Sequence, residues 1–163
     1  MDTLKAKELV ASGKAILGIE LGSTRIKSVL IGSDNHPGAQ GSYTWENQLV
    51  DGLWTYGIDE IWSGLQASYA DLCSDVRSRY GVELERLAGI GISAMMHGYM
   101  PFGKDGNILV PFRTWRNTNT GRAARELSEL FDFNIPLRWS ISHLYQAILD
   151  GEEHVGRIDF LTT

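Results

Sequence analysis

Two apolar segments separated by only three residues constrain the fold of this chain more than any other feature. The segments are AILGIEL (15–21) and RIKSVLIG (25–32), with Gly22, Ser23 and Thr24 between them. Runs of Ile, Leu and Val broken by so short an interval are typical of two strands joined by a tight turn. Residues 39–47 could add a third antiparallel strand, although a glycine inside that segment weakens the strand pattern. The sequence therefore predicts an antiparallel sheet at the start of the fold.

Residues 58–80 carry the clearest helical pattern. Their apolar residues recur at intervals of three and four, which places them on one face of a helix. These residues are Ile58, Ile61, Trp62, Leu65, Tyr69, Leu72, Cys73, Val76 and Tyr80. The apolar run 87–95 follows and predicts a strand covered on both faces. Strands, a long helix and a buried strand in this order predict an α/β fold with a mixed sheet, which matches the core of the ribonuclease H-like, actin-like ATPase fold.

The rest of the chain is predicted to form a hairpin followed by two or three helices. Asp105-Gly106 lies between the apolar segments 99–102 and 108–112, which indicates a peripheral hairpin. Helices are expected at 122–131 and 140–149, with a further start near Glu152. At the other end of the chain, residues 1–14 are predicted to form a separate helical extension before a main body at 15–163.

Composition argues against several classes of function. The chain has 163 residues, enough for one domain, with 15 basic and 20 acidic residues. Nucleic-acid binding depends on concentrated basic charge, so no nucleic acid partner is expected. The single cysteine, Cys73, excludes an internal disulfide and is predicted to be buried. No apolar run approaches the roughly 20 residues that span a bilayer, so we expect a soluble, cytoplasmic protein with no membrane partner.

Glu20 is the first candidate for chemistry, because it lies near the end of an apolar strand, just before the small-residue turn. A carboxylate there could hold hydrated Mg²⁺ while the amides and hydroxyls of Gly22, Ser23 and Thr24 face phosphate oxygens. Lys27, seven residues after Glu20, could offer an ammonium group to the same anion. The alternative is an ordinary hairpin turn, with Glu20 and Lys27 on a solvent-exposed face.

The second candidate is Met96-His97-Gly98, at the end of the predicted strand 87–95. In open α/β sheets, ligands bind beyond the carboxyl ends of the strands, where a histidine can donate a hydrogen bond to a hydroxyl group. The alternative is that His97 is only a loop or core residue. The other histidines show no metal-ligand spacing and are interpreted as ordinary polar residues: His36, His143 and His154.

The third candidate is PFRTWRNTNT (111–120), which places many hydrogen-bonding side chains beside Trp115. An aromatic face packed against sugar C–H groups, with Arg116 and Asn117 reaching hydroxyl groups, would suit a polyol site. The alternative is a helix start capped by residues 118–120, with Trp115 in the core.

The order of these three motifs resembles the FGGY carbohydrate kinases, especially the xylulokinase and ribulokinase branches. In that family the first strand ends in Asp-x-Gly-Thr-Thr/Ser, with Lys or Arg seven residues after the Asp, similar to residues 20–24 and Lys27. A later Met-His-Gly resembles residues 96–98, and a Trp-Asn-Asp-type segment resembles residues 111–117. Glycerol kinases have Arg-Glu in place of Met-His, so this motif points toward a ketose or similar sugar rather than glycerol. The resemblance covers residues 16–163.

The resemblance also implies roles for the candidate residues. Glu20 would orient Mg²⁺, directly or through water, and would act with Lys27 in catalysis. The turn at Gly22, Ser23 and Thr24 would bind the phosphates of ATP. A second group would line the sugar pocket: Met96, His97, Gly98, Trp115, Arg116 and Asn117. The implied cofactors are ATP and Mg²⁺, and the implied partner is a pentulose or similar sugar.

Two departures from the family pattern affect these roles. Glu20 replaces the usual Asp and extends the carboxylate by about 1.5 Å, one covalent bond. This matters because Mg²⁺ demands near-ideal geometry. Arg116-Asn117 stands where many relatives have Asn-Asp, which removes a carboxylate from the substrate side.

The family has two actin-like lobes with ATP between them, and its catalytic-base Asp lies beyond the end of this chain. We therefore interpret residues 15–163 as an incomplete N-terminal lobe whose partners are the rest of the first lobe and the second lobe of the same chain. The parent protein would transfer the γ-phosphoryl group of ATP to a sugar hydroxyl, and the 163-residue chain alone would be inactive. Apolar surface left uncovered could also associate with a second copy as a homodimer.

Two other functions are compatible with the sequence. The first is a catalytically idle sugar-binding or regulatory module on the kinase scaffold, marked by Glu20 and Arg116-Asn117. The second is a complete small α/β domain engaged in protein-protein contacts, in which the order of the motifs is chance.

Overall fold

The three-residue interval between the apolar segments folds as the tight turn that the sequence predicts. The computed structural model describes residues 3–163 and contains four α-helices, eight strands and one 3-10 helix in that range. In chain order the α-helices and strands are α1 (Thr3–Ala11), β1 (Ile16–Leu21), β2 (Arg25–Ile31), β3 (Pro37–Thr44), β4 (Gln48–Val50), β5 (Leu53–Thr55), α2 (Ile58–Tyr80), β6 (Gly89–Ala94), β7 (Met100–Phe102), α3 (Gly121–Phe131), α4 (Ser140–Leu149) and β8 (Phe160–Thr162). The 3-10 helix covers Glu153–Arg157. None of the helices in the described range is long and apolar enough to cross a membrane.

The chain forms two compact units, of which the first contains the described residues up to 46 and residues 58–95. Its four-stranded sheet has the order β3-β2-β1-β6. Strands β1, β2 and β3 pair antiparallel, whereas β6 pairs parallel with β1. The predicted α/β fold with a mixed sheet is therefore confirmed.

Helix α2 covers one face of this sheet and approaches β3 very closely. A Cβ atom at Gly41 would lie 2.2 Å from the backbone oxygen of Ser68, and one at Gly64 would lie 2.6 Å from the Tyr43 ring. Glycines at both positions let the backbones of α2 and β3 approach closely. A side chain at position 41 would prevent this packing. The buried side of the helix is accordingly a stripe of small and apolar residues: Gly64, Ser68, Leu72 and Val76. Trp62, assigned to that face from the sequence, is 60% exposed, and Cys73 is half-buried.

The N-terminal helix α1 packs onto the same core. Val10 is 3% exposed and belongs to a cluster with Leu17, Leu30 and Leu72. Residues 1 and 2 of the predicted extension lie outside the described residues. The division of the chain at 14/15 stays a prediction, although α1 contributes to the core that β1 and β2 share.

The two outer strands of the sheet differ in their surroundings: β6 has exposed apolar side chains, whereas the edge amides of β3 are bonded to α2. Strand β6 lies where the sequence predicts a strand, but the expected cover on both faces is wrong for the described residues, because Ile90 and Ile92 are 60% and 70% exposed. The reason is that β6 lies next to β1 alone, and no helix of residues 3–163 packs extensively against its faces, since α2 packs on β2 and β3. At the opposite edge, the amides of Gln40 and Ser42 in β3 donate to the carboxylates of Asp75 and Asp71 in α2, at 3.0 and 2.9 Å.

The second unit contains residues 47–57 and 96–163. Helices α3 and α4 pack together and enclose buried Ala123, Leu127 and Ala147. Strands β4 and β5 form a small hairpin that the sequence analysis missed. The hairpin predicted at 99–112 is only partly correct: its turn forms, but β7 pairs regularly with β8, and the 108–112 segment contributes a single bridge from Ile108 and none of the ladder. Pro101 in β7 and Pro111 in the 108–112 segment limit the ladder between them, since proline has no N–H to donate.

Candidate functional site

Glu20 and Lys27 lie directly opposite each other on β1 and β2. The Lys27 Nζ donates to Glu20 Oε2 at 2.9 Å, and both side chains are about half exposed, at 48% and 50%. Burial alternates along β2, and the buried Ile26 faces α2, so Lys27 lies on the opposite face. The pair is therefore accessible, as both interpretations of the sequence require.

The turn that follows Glu20 is closed by its own backbone. The amide of Gly22 donates to the Arg25 carbonyl at 3.0 Å. A Cβ atom at Gly22 would lie 2.8 Å from that same oxygen, so the turn requires glycine. Ser23 and Thr24 are exposed. The Gly22 amide is thus used within the turn, and the hydroxyl groups of Ser23 and Thr24 lie at the surface.

Trp45 supports this turn from within the unit and was missed by the sequence analysis. Its side chain is 4% exposed, and its Nε1 donates to the Gly22 carbonyl at 2.8 Å. Its amide donates to the Thr24 carbonyl at 3.3 Å. A tryptophan near the end of the predicted strand 39–47 is the only sequence signal, and nothing in the spacing connects it to a turn 23 residues earlier.

A groove of about 580 Å³ runs over the exposed face of the first sheet. Glu20 and Lys27 line one part of it, and the rest is mostly apolar, with Ile16, Gly18 and Ile92 among the lining residues. No group of three or more acidic, histidine or cysteine side chains in residues 3–163 could hold a metal ion. Mg²⁺, however, keeps several waters and takes only one or two carboxylates beside phosphate oxygens. The accessible carboxylate of Glu20 fits that set of donors.

The Met96-His97-Gly98 segment of the second unit has an unusual backbone. His97 has φ 70 and Gly98 has φ 99, both in the left-handed region that side chains rarely adopt. A Cβ atom at Gly98 would lie 2.8 Å from the Phe112 ring. The Gly98 carbonyl accepts a hydrogen bond from Ser140 Oγ at 2.6 Å. The loop conformation is therefore held by its neighbours.

The His97 imidazole is half-buried and stacks on Trp139 with ring centroids 6.2 Å apart. Burial, and then the nearby positive charge of Arg138, lower the pKa of His97. A neutral imidazole has one donor and one acceptor nitrogen, which suits a hydroxyl group. Met96, by contrast, is 71% exposed.

The 114–117 segment divides into exposed and buried members. Trp115 is 41% exposed, so the alternative that places it in the core is wrong. The Arg116 guanidinium lies 4.0 Å from the centre of the Trp54 ring, which is close enough for cation-π attraction. Thr120 precedes α3 but makes no side-chain cap, since its hydroxyl donates instead to the Leu137 carbonyl at 2.5 Å.

Asn117 is buried, at 4% exposure, and its amide group is fully engaged. Its Oδ1 accepts from the Trp54 amide at 2.9 Å, and its Nδ2 donates to the carbonyls of Trp54 and Thr114 at 2.8 and 3.0 Å. The side chain thus continues the backbone pairing of β5 and fixes Trp54 beneath Arg116. Trp54 was also missed by the sequence analysis, although Asp51-Gly52 between the two short strands of its hairpin is a turn signal that could have found it.

A cluster of buried polar residues lies in the second unit, where the sequence analysis interpreted His143 and His154 as ordinary polar residues. These two side chains are 0% and 3% exposed, so that interpretation did not predict that both histidines are buried. Arg113 forms a two-pronged ion pair with Glu152, with Nη1 to Oε1 at 2.9 Å. Burial, and then the positive charge of Arg113, lower the pKa of His143 to about 4.

Residues 15–137 match the model of the FGGY family of carbohydrate kinases, N-terminal domain. No curated protein sequence matches the chain significantly. Solved structures with a similar fold include a xylulose kinase from Rhodospirillum rubrum (18% identity, TM-score 0.75, 91% of this chain and 32% of that chain). They also include a gluconate kinase from Lactobacillus acidophilus (19%, TM-score 0.73, 91% and 31%) and a Plasmodium falciparum glycerol kinase with ADP (16%, TM-score 0.70, 86% and 29%). The chain thus spans about a third of the length of the structures it matches.

Proposed function

The chain belongs to the FGGY family of carbohydrate kinases, and from that premise we propose that it supplies the N-terminal part of an ATP-dependent sugar kinase. The enzyme transfers the γ-phosphoryl group of ATP to a hydroxyl group of a pentulose or similar sugar. Because the chain spans about a third of its structural relatives, the remainder of the active site comes from residues beyond this chain.

The observation that carries the proposal is the Glu20–Lys27 pair beside the Gly22-Ser23-Thr24 turn, inside the region that matches the family. Phosphoryl transfer needs positioning and charge neutralisation more than covalent chemistry. An accessible carboxylate, an ammonium group and surface hydroxyls within one turn supply the groups for both. Lys27 turns from Glu20 toward a phosphate, and Glu20 is then available to waters of a hydrated cation.

Mg²⁺, when bound, neutralises charge on the phosphate oxygens. Glu20 is the carboxylate that holds its hydration shell in this proposal. Its longer side chain, compared with the usual Asp, favours contact through water, because a direct contact would need near-ideal geometry.

The sugar binds to the second unit in this proposal. The exposed Trp115 ring packs against sugar C–H groups, and neutral His97 exchanges a hydrogen bond with a hydroxyl group. Arg116 contacts the sugar from its place on Trp54, whereas Asn117 acts by holding Trp54, since its amide atoms are already engaged. The relatives named above are kinases of xylulose, gluconate and glycerol, and the Met-His-Gly motif favours a ketose among these classes.

None of the assigned residues is a general base for the sugar hydroxyl. His97 has a lowered pKa but lies on the sugar side as a neutral hydrogen-bonding group. We therefore propose that the base lies outside this chain and that the 163-residue chain does not turn over ATP by itself. Both ATP and small sugars are cytoplasmic metabolites, which makes the cytoplasm the proposed location.

The test uses the complete protein that contains this chain, a panel of sugars and sugar alcohols, and Mg-ATP. We expect phosphorylation of a ketose, and we expect Glu20→Ala to reduce kcat by on the order of 100-fold with little change in sugar affinity, because a transition-state contact is lost. Glu85→Ala, at another exposed carboxylate of the first unit, is the matched control and keeps wild-type kcat. Unchanged turnover in Glu20→Ala would remove Glu20 from the mechanism.

A catalytically idle sugar-binding module is the second candidate. It is favoured by Glu20 in place of Asp and by Asn117, whose amide is used by Trp54 and Thr114. Glu20→Asp restores the usual carboxylate length. Sugar binding by calorimetry, without turnover in either the wild type or Glu20→Asp, would establish this second function.

A further inference from the structure

One backbone bridge joins the two segments of the second unit that carry the proposed sugar-binding residues. The Tyr99 amide donates to the Arg113 carbonyl at 2.9 Å, and the Arg113 amide donates back to the Tyr99 carbonyl at 3.1 Å. His97 lies two residues before this bridge and Trp115 lies two residues after it. Whatever fixes Tyr99 and Arg113 therefore fixes His97 relative to Trp115.

The Arg113 side chain is fixed by a carboxylate from beyond α4. It is only 7% exposed, and both terminal nitrogens contact the two oxygens of Glu152, 39 residues away. The guanidinium also lies over the Tyr99 ring, 5.2 Å from its centre. Arg113 thus contacts its bridge partner twice, through the backbone and through the side chain.

The Tyr99 side chain is fixed by the 3-10 helix. Its hydroxyl lies 2.7 Å from His154 Nε2, and His154 Nδ1 lies 3.4 Å from Glu152. One tautomer satisfies both contacts, with Nε2 accepting from the hydroxyl and Nδ1–H directed to the carboxylate. Burial raises the pKa of Tyr99 to about 12, so its hydroxyl stays a donor.

Burying an ion pair costs desolvation free energy, and apolar residues of the same volume often give the same stability or more. What a two-pronged guanidinium–carboxylate pair adds is a defined geometry. Here the pair orients Arg113, which forms the backbone bridge with Tyr99 between the His97 and Trp115 segments.

We propose that Arg113, Glu152 and His154 are positioning residues that set the spacing of His97 and Trp115 for the sugar. None of the three is required to touch the substrate. The expected effect on sugar KM rests on the proposed function. The expected effect on the placement of His97 and Trp115 rests on the Tyr99–Arg113 bridge alone.

The test replaces both members of the ion pair, in the double variant Arg113→Met/Glu152→Leu. Loss of both partners leaves no unpaired buried charge, so the variant is expected to fold. The matched control is Arg77→Met/Glu83→Leu, which removes an exposed two-pronged ion pair from the first unit, with Nη2 of Arg77 2.8 Å from Oε2 of Glu83. If the double variant does not fold, Glu152→Asp, which keeps the carboxylate but shortens the side chain that reaches Arg113, carries the same measurements.

The kinetic measurement uses the complete kinase. We expect a rise in sugar KM on the order of 10- to 100-fold, because small misplacements of binding groups carry penalties of that size. The KM for ATP stays unchanged, as it does for both substrates in the control. A folded double variant with wild-type sugar KM would overturn the proposal.

The structural measurement uses NMR of the 163-residue chain and needs no turnover. The imidazole of His97 and the indole of Trp115 are followed in the wild type and both double variants. We expect changed chemical shifts for both side chains, and a His97 pKa nearer its ordinary value, only when the Arg113–Glu152 pair is removed. Unchanged spectra would overturn the positioning role, whereas a kinase inactive on every sugar with altered spectra would instead overturn the proposed function.

Discussion

The two units use ion pairs in opposite ways. Glu20 and Lys27 in the first unit are about half exposed, at 50% and 48%, whereas Arg113 and Glu152 in the second are 7% and 29% exposed. An exposed pair is screened by water and is held weakly, so its members can exchange partners. A buried pair is expensive to break, because each partner would be left as an unpaired charge. The chain thus places a replaceable pair beside the proposed phosphate turn and a fixed pair behind the proposed sugar segments.

The largest change in stability is expected when only one member of the buried pair is replaced. Glu152→Gln leaves the Arg113 charge without its partner, and we expect it to lower the free energy of unfolding by about 3 kcal/mol. Glu20→Gln, the same substitution in the exposed pair, should lower it by less than about 1 kcal/mol. Denaturant unfolding, monitored by hydrogen exchange of amides in each unit, measures the loss in free energy of unfolding for both variants. Equal losses would show that burial does not distinguish the pairs.

A second prediction separates the units by pH. The pKa of His143 is lowered from 6.5 to about 4, so the unfolded chain binds a proton between these values while the folded chain does not. Stability is therefore fully present above pH 6.5 and falls as the pH drops toward 4, by about 3 kcal/mol. The pKa of His154, lowered by burial, acts in the same direction.

Hydrogen exchange at pH 7, 5.5 and 4.5 checks this prediction. Protection of α4 should fall over this range, and His143→Phe should flatten the dependence. In the first unit, Glu83 has a pKa lowered from 4.5 by its hydrogen bond with Arg77, so its contribution is lost only at lower pH. Equal loss of protection in both units over this range would contradict the assignment to His143.

A third prediction concerns the support of the phosphate turn. Trp45→Phe keeps a buried aromatic ring, although a smaller one, and removes the 2.8 Å hydrogen bond to the Gly22 carbonyl. We expect a loss of about 2 kcal/mol, because the cavity left by the smaller ring adds to the roughly 1 kcal/mol that one such bond usually contributes. Exchange of the turn amides should also increase, because the turn loses its inner anchor. Trp62→Phe, at an exposed tryptophan on α2, is the control and should leave both quantities unchanged.

The smallest expected effect is that of Lys27→Met on stability. It removes the 2.9 Å exposed pair, so we expect a change of about 0.5 kcal/mol or less at low salt. In about 1 M salt, where the screening length is about 3 Å, the difference between variant and wild type should vanish. A difference that persists at high salt would mean that Lys27 stabilises the sheet by packing and not by charge.

Local signals in the sequence predicted the elements of the first unit well. The hairpin of β1 and β2 and the helix α2 at 58–80 follow from short-range patterns, and the structure confirms them. The glycine that weakened the strand pattern in β3 is Gly41, which is present for its contact with α2. That requirement comes from a residue 27 positions away, and no pattern within the strand carries it.

The arrangement around the candidate site was less predictable, for the same physical reason. Glu20 and Lys27 could be paired from the hairpin register alone. The contacts of Arg113 with Glu152 and of Asn117 with Trp54 join residues 39 and 63 positions apart, and neither pair forms a motif. Polar residues that are buried by tertiary contacts look like surface residues in the sequence, which is why His143 and His154 were interpreted as ordinary.

The carboxylates of Asp71 and Asp75 have a consequence for how the first sheet can grow. They occupy backbone amides of Gln40 and Ser42 that a neighbouring strand would otherwise use. Unpaired edge amides are what recruit further strands, and occupied ones do not. Strand β6, at the other edge, has no such caps among the described residues. Any strand added to this sheet, from the same polypeptide or another, therefore joins next to β6, which makes the sheet extensible in one direction only.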